Sequence, residues 1–130
     1  MIDQSVRRLL ESAIDTPIKL QLVLMFHENQ QLRVTASQVA DRMYRDIWSI
    51  REALRELAES GVLVETVTKD GPAYHFRPAY ELAEPIRRLM QCYNEPLERD
   101  RLHHILRQIA GDAQYRRAMR VGVAFETISF

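Results

Sequence analysis

Several kinds of chemistry are made unlikely by what this sequence lacks. Its 130 residues include a single cysteine, Cys92, so no internal disulfide and no CxxC pair for zinc can form, which fits a reducing, cytoplasmic setting. Only four glycines are present. No Gly-rich phosphate loop, GxSxG, HExxH or EF-hand pattern occurs, so nothing marks a nucleotide cradle, a hydrolytic nucleophile or a metal centre. His103 and His104 are adjacent on a predicted helix and point in different directions, whereas metal ligands on one helix stand three or four residues apart. Neither a cofactor nor an enzymatic activity is expected. No sign of charge dominates: 18 Lys and Arg balance 18 Asp and Glu, which removes the general positive field that steers many proteins to nucleic acid. The longest apolar run, residues 22–26, is far too short to span a bilayer, and Asp3, Arg7, Arg8 and Glu11 put charge near the start, so neither a membrane segment nor an export signal is expected.

What is present is ordinary globular material. Hydrophobic residues make up 46% and charged residues 28%, enough apolar surface for a real core at the length of one domain. Asp3 can cap a first helix with Val6, Leu9, Leu10 and Ala13 on one face. Thr16-Pro17 marks the start of a second, apolar on most sides from Ile18 to His27. Arg33-Val34 reads as a short extended segment before Thr35, which can cap a helix carrying Val39, Ala40 and Met43. Asp46 can cap the next, where Ile50, Ala53, Leu54 and Leu57 form an apolar stripe ending at Gly61.

Two β-prone runs follow, Val62-Leu63-Val64-Glu65-Thr66-Val67 and Ala73-Tyr74-His75-Phe76-Arg77, joined through Lys69-Asp70-Gly71, a strong hairpin signal. Val62 and Val64 are expected to share the buried face with Tyr74 and Phe76. Helical spacing then returns, with Ile86, Leu89, Met90 and Tyr93 after Pro85, and Leu102, Ile105, Leu106 and Ile109 after Pro96. Gly111-Asp112 is expected to separate a last short helix containing Tyr115 and Met119. The apolar, β-prone tail over residues 121–130 is expected to dock on this chain or on another copy.

The fold class is therefore mainly α with a small β-hairpin wing. The order helix, short strand, helix, turn, helix, hairpin resembles the winged helix-turn-helix domains of bacterial transcription regulators. The resemblance is carried by Thr35-Ala36-Ser37-Gln38-Val39-Ala40 and by Ile50-Arg51-Glu52-Ala53-Leu54-Arg55-Glu56-Leu57-Ala58-Glu59-Ser60-Gly61-Val62-Leu63-Val64. It covers roughly half the chain and divides it into an N-terminal helical arm over residues 1–15, a winged helix-turn-helix domain over 16–78, and a C-terminal helical extension with an apolar tail over 79–130. It implies binding of double-stranded DNA, with the second helix of the pair in the major groove and the wing on phosphate or the minor groove. The residues at those positions are Arg45, Trp48, Ser49, Arg51 and Arg55, with Lys69 and Arg77 from the wing. The extra apolar helices at the termini suggest a homodimer paired through them.

Charge sets a rival reading beside this one. Helical spacing places Arg45, Trp48, Glu52, Arg55 and Glu59 on the face opposite Ile50, Leu54 and Leu57, and residues 28–77 carry seven basic against eight acidic side chains. A winged helix that meets a protein partner through Trp48, Glu52 and Glu59, without DNA, accounts for that mixture. Two positions are open for Trp48 itself: an exposed anchor, or a ring folded onto the helix pair as core. Residues 99–120 hold six arginines against two aspartates, either an extended nucleic-acid footprint or a solvated helix face paired with Glu81, Glu84, Glu95 and Glu98. A small-molecule pocket lined by Met90, Tyr93 and the C-terminal helices is a third possibility. Cys92 reads as a structural thiol.

Overall fold

Every helix of the N-terminal half begins at a polar side chain that satisfies its otherwise unpaired first-turn N–H groups. A computed structural model describes residues 2–128, with side chains described for residues 2–112. The Asp3 carboxylate accepts from the Ser5 N–H at 2.7 Å and opens α1 (Gln4–Ser12). The Thr16 hydroxyl accepts from the Lys19 N–H at 3.2 Å, and Pro17 is the first residue of α2 (Pro17–Glu28). After β1 (Arg33–Thr35), Thr35 and Gln38 form a reciprocal capping box at 3.3 and 3.0 Å and start α3 (Ala36–Met43). Asp46 accepts from the Ser49 N–H at 2.8 Å and starts α4 (Ile47–Glu59).

The end of α4 fixes the start of the wing. Gly61 takes φ +88°, and the Val62 and Gly61 N–H groups return to the Leu57 and Ala58 carbonyls at 3.0 and 3.1 Å, a Schellman closure that favours glycine at the left-handed position. Beyond it run β2 (Leu63–Thr68) and β3 (Gly71–Phe76), joined by Lys69-Asp70. With β1 they form a three-stranded antiparallel sheet in the order β1-β3-β2. The molecule is thus mainly helical with a small sheet, as expected.

The register corrects one expectation. Leu63 lies opposite Phe76, Glu65 opposite Tyr74, and Val64 opposite His75. Leu63 and Tyr74 are buried, whereas Val64 is exposed. Val62 is buried too, but in the Schellman turn, so the strand starts one residue later than the apolar run suggests. A shift of one residue exchanges the two faces of a strand.

Two further corrections concern the C-terminal helices. α5 (Tyr80–Asn94) begins five residues before Ile86's proline neighbour, at an Ala79 cap with no side-chain hydrogen bond, and Pro85 lies inside it; an uncapped start leaves no mark in the sequence. α6 (Pro96–Ile128) runs without a break through Gly111-Asp112, so there is no separate last helix. A glycine inside a helix costs about 1 kcal/mol relative to alanine, which the flanking helical turns can offset. The backbone of residues 121–128 is helical and not extended. Docking by that tail, like any role of Tyr115 and Met119, concerns side chains outside the described residues.

One contiguous core underlies the three regions. Val6, Leu9 and Leu10 of α1, Leu22 and Phe26 of α2, Ile50 and Leu54 of α4, Ile86 and Leu89 of α5, and Leu102 and Leu106 of α6 all belong to it. α1 packs on α5 and α6, and α6 packs on α2, so the N-terminal arm is integral to the fold. Among the described residues no helix is long and apolar enough to cross a membrane.

Among the described residues a single charged side chain is buried in this core. Lys19, at 4% exposure, places its Nζ 2.6 Å from Asp15 Oδ1 and 2.5 Å from Glu56 Oε2. It ties the start of α2 to the last turn of α4. The apolar pattern of residues 18–27 gives no hint of it.

Candidate nucleic-acid interface

With Ile50, Ala53, Leu54 and Leu57 turned inward, the outer side of α4 carries Trp48, Arg51, Glu52, Arg55 and Glu59, all exposed. Trp48 is 72% exposed, so its reading as core does not hold. Its ring lies under the Arg51 guanidinium, with Cζ 5.2 Å from the ring centroid. That stacking holds the long side chain against the helix while leaving its N–H edge available to a partner. Ser49 is only half-buried, and its N–H is committed to Asp46. This hydrogen bond from the backbone, aided by the Ser49 side chain, holds the Asp46 carboxyl below its ordinary value.

The charges of α4 are sorted into two edges. Glu52 and Glu56 line a cleft against Thr16, Pro17, Ile18 and Lys19 at the start of α2, where Glu56 meets the buried Lys19. Arg51 and Arg55 lie toward the wing, near enough to Tyr74 for their charges to act on its phenol. Burial raises that phenol above its ordinary value, helped by Glu65 and opposed by Arg55 and Arg51. Of the α4 carboxylates the fold turns Glu56 inward to Lys19, while Glu59 stays outside with Arg55. Arg55 is bonded to Glu59 at 2.8 Å with both side chains more than half exposed; such a pair is worth only about 0.2–1 kcal/mol and exchanges readily for another anion.

The remaining candidates are spread around this edge. Arg45 is exposed and donates to Gln21 Oε1 at 3.1 Å. Lys69 is exposed on the hairpin turn, which Thr68 pins by donating to the Gly71 carbonyl at 2.6 Å. Arg77 is exposed just beyond β3, two residues from His75, and so belongs to the outer side of the sheet.

Tyr44 has no place among the expected contacts, yet it stands at the turn between α3 and α4 with 96% exposure. Its backbone is left-handed, at φ 55° and ψ 44°, a conformation disfavoured for residues with a Cβ. The available signal was the lack of any glycine or asparagine between Met43 and Asp46, where a tight turn between two helices has to reverse the chain.

Among the described residues, the apolar stripes of α1, α5 and α6 close on one another within the chain, leaving Tyr80 and Leu97 as large exposed apolar side chains there. Met90 is buried, and Tyr93 lies under Arg99 at 4.8 Å and edge-on to His103 at 6.0 Å, so these two side chains pack against the protein's own residues. Burial raises the Cys92 thiol above its ordinary value, in keeping with a structural cysteine.

No protein family matches the chain, and no match is found among curated proteins or solved structures.

Proposed function

We propose that the protein is a DNA-binding regulator that presents α4 to the major groove of duplex DNA and sets the β2–β3 hairpin against the neighbouring backbone. The observation that carries this reading is the sorting of charge on α4. Arg51 and Arg55 stand exposed on the side of α4 toward the wing, Arg55 held by a readily exchanged pair with Glu59, while Glu56 is drawn inward to Lys19. Arg51, stacked on Trp48, has the planar donor edge that suits guanine or phosphate. Lys69 at the hairpin tip adds a salt-sensitive phosphate contact.

Fluorescence anisotropy of labelled random-sequence duplex, titrated with protein over a range of salt, tests the reading. Binding that weakens as salt rises, and that Arg51→Ala with Arg55→Ala reduces, is the expected result. Absence of binding even at low salt would overturn it.

A second reading rests on a specific observation, the bare aromatic surface of Tyr44 and Trp48. Large aromatic rings that their own fold leaves uncovered are the usual anchors of protein interfaces. On this reading the same helix meets a protein partner, Trp48→Ala abolishes that complex, and DNA binding is absent. A homodimer is the remaining part of the regulator proposal, and light scattering of the purified chain checks it directly.

A further inference from the structure

The outer face of the sheet carries a concentration of positive charge that the sequence alone does not reveal. Arg33 on β1 is the direct cross-strand partner of His75 on β3, which puts their Cβ atoms about 5 Å apart. Arg77 emerges on the same side two residues later. On the other flank, the partner of His75 is Val64, which carries no charge.

Among the described residues, neither Arg33 nor Arg77 forms an ion pair. Both are exposed, and His75 is half-buried between them. Burial first, and then the charges of Arg33 and Arg77, holds the His75 imidazole below its ordinary value. The groups around the ring are therefore Arg33 from β1 and Arg77 just beyond β3, with uncharged Val64 from β2 and the Asp70 carboxylate of the hairpin turn on the wall of the adjoining cleft. His27 of α2 packs against Phe76 on the inner face.

Beside the cluster lies a cleft of about 250 Å³, lined by Arg33, Thr35, Gln38, Thr66, Thr68 and His75, with Asp70 also on its wall. The Thr35 and Thr66 hydroxyls and the Gln38 side-chain amide thus adjoin the cationic groups, while the Thr68 hydroxyl is spent on the Gly71 carbonyl. Arg33 and Arg77 thus flank His75 with, among the described residues, no carboxylate paired to either, and an anion bound between them would gain from both charges.

We infer that the outer face of the sheet is a phosphate-contact surface for duplex DNA, in which Arg33 and Arg77 hold backbone phosphates and His75 joins them as an imidazolium. The inference rests on the DNA reading above and adds to it a second surface, distinct from α4. Phosphate beside His75 favours the charged ring, so a proton is taken up from solvent on binding. Affinity then rises as pH falls through the window between the depressed value of the free protein and the raised value of the complex, by at most tenfold per pH unit for one proton.

The test uses the full chain and labelled random-sequence duplex DNA, with binding measured against both salt and pH. Removing two phosphate contacts in an Arg33→Ala, Arg77→Ala variant should lower the slope of log affinity against log salt by about 2 and weaken binding by tens-fold near 0.1 M salt. His75→Gln should flatten the acid-side rise in affinity while leaving the salt slope above that window close to the parent's. Circular dichroism checks that each variant is folded, and exposed arginines give little reason for unfolding. If the parent binds but the arginine variant keeps its slope and affinity, or the His75 variant keeps its pH dependence, this inference falls and the α4 reading stands. If the parent does not bind DNA at all, both fall.

Discussion

Replacing Lys19 with methionine isolates the charge that joins α2 to α4, because methionine keeps most of the apolar stem. The ammonium lies 2.6 Å from Asp15 and 2.5 Å from Glu56; its side chain is 6% exposed and the two carboxylates 20% and 21%. Removing one member of a buried ionic cluster leaves its partners facing each other without compensation, which costs about 3–5 kcal/mol. Water reaches the carboxylates at about a fifth of their surface, so the lower end applies: Lys19→Met should lose about 3 kcal/mol, equivalent to roughly 12 °C in melting temperature for a domain of this size. Neutralising the carboxylates as well, by Asp15→Asn and Glu56→Gln in the Lys19→Met background, should recover about 1–2 kcal/mol, because the repulsion goes with the charges. Urea unfolding followed by circular dichroism measures both steps, provided the slope with denaturant is unchanged. The reasoning fails if Lys19→Met stays within about 0.5 kcal/mol of the parent, or if the carboxylate changes deepen the loss.

Trp48→Ala should cost about 1–2 kcal/mol of stability, since the 28% of the residue left covered corresponds to roughly 70 Å² at ~25 cal/mol/Å²; a loss above about 4 kcal/mol in the same denaturation assay would mark it as core after all. Tyr44→Gly should leave stability unchanged or raise it by up to about 1 kcal/mol, because the left-handed turn suits glycine and little packing is lost, while binding to DNA or to a partner falls. Gly61→Ala puts a Cβ 3.4 Å from that of Ala79 at φ +88° and should cost about 1–2 kcal/mol in thermal unfolding. Acid should fray the start of α4. The Asp46 value is depressed in the fold, so its capping contribution is whole above the ordinary carboxylate value and is lost as pH falls through the lower folded one; the Ser49 amide shift should titrate below pH 3.8.

Much of the fold was legible because short-range chemistry dictates it. Asp3, Thr16, Thr35 and Asp46 are caps whose partners lie two or three residues away, and Gly61 stops α4 by a local backbone preference. The start of α5 was not legible, since Ala79 caps it with no side chain. The facing of Val64 was missed because the Schellman turn consumes Val62 and delays the strand by one residue. For the candidate site, periodicity placed Trp48, Glu52, Arg55 and Glu59 outward and the resemblance added Arg51, but every charge was counted alike. Only tertiary packing separates Glu56, bound to a lysine 37 positions earlier in the chain, from arginines that face the wing. Arg33 and His75 likewise lie far apart in sequence and meet through strand pairing.

The base of the wing has a consequence for how this fold can vary. The Ala79 N–H donates to the Gly61 carbonyl at 2.8 Å, so the chain leaves the hairpin where it entered, and the end of α4 is fastened to the beginning of α5. The hairpin is therefore a closed excursion from a fixed point, whose length the surrounding helices do not sense. Extra residues between Lys69 and Asp70 would meet only the slow, logarithmic penalty of a longer loop, about 0.6 kcal/mol for each doubling. The tip of such a hairpin, beyond the rungs held by β1 and by the buried Leu63 and Tyr74, can be lengthened or given a different charge as a cassette, with the helices beneath it left in register.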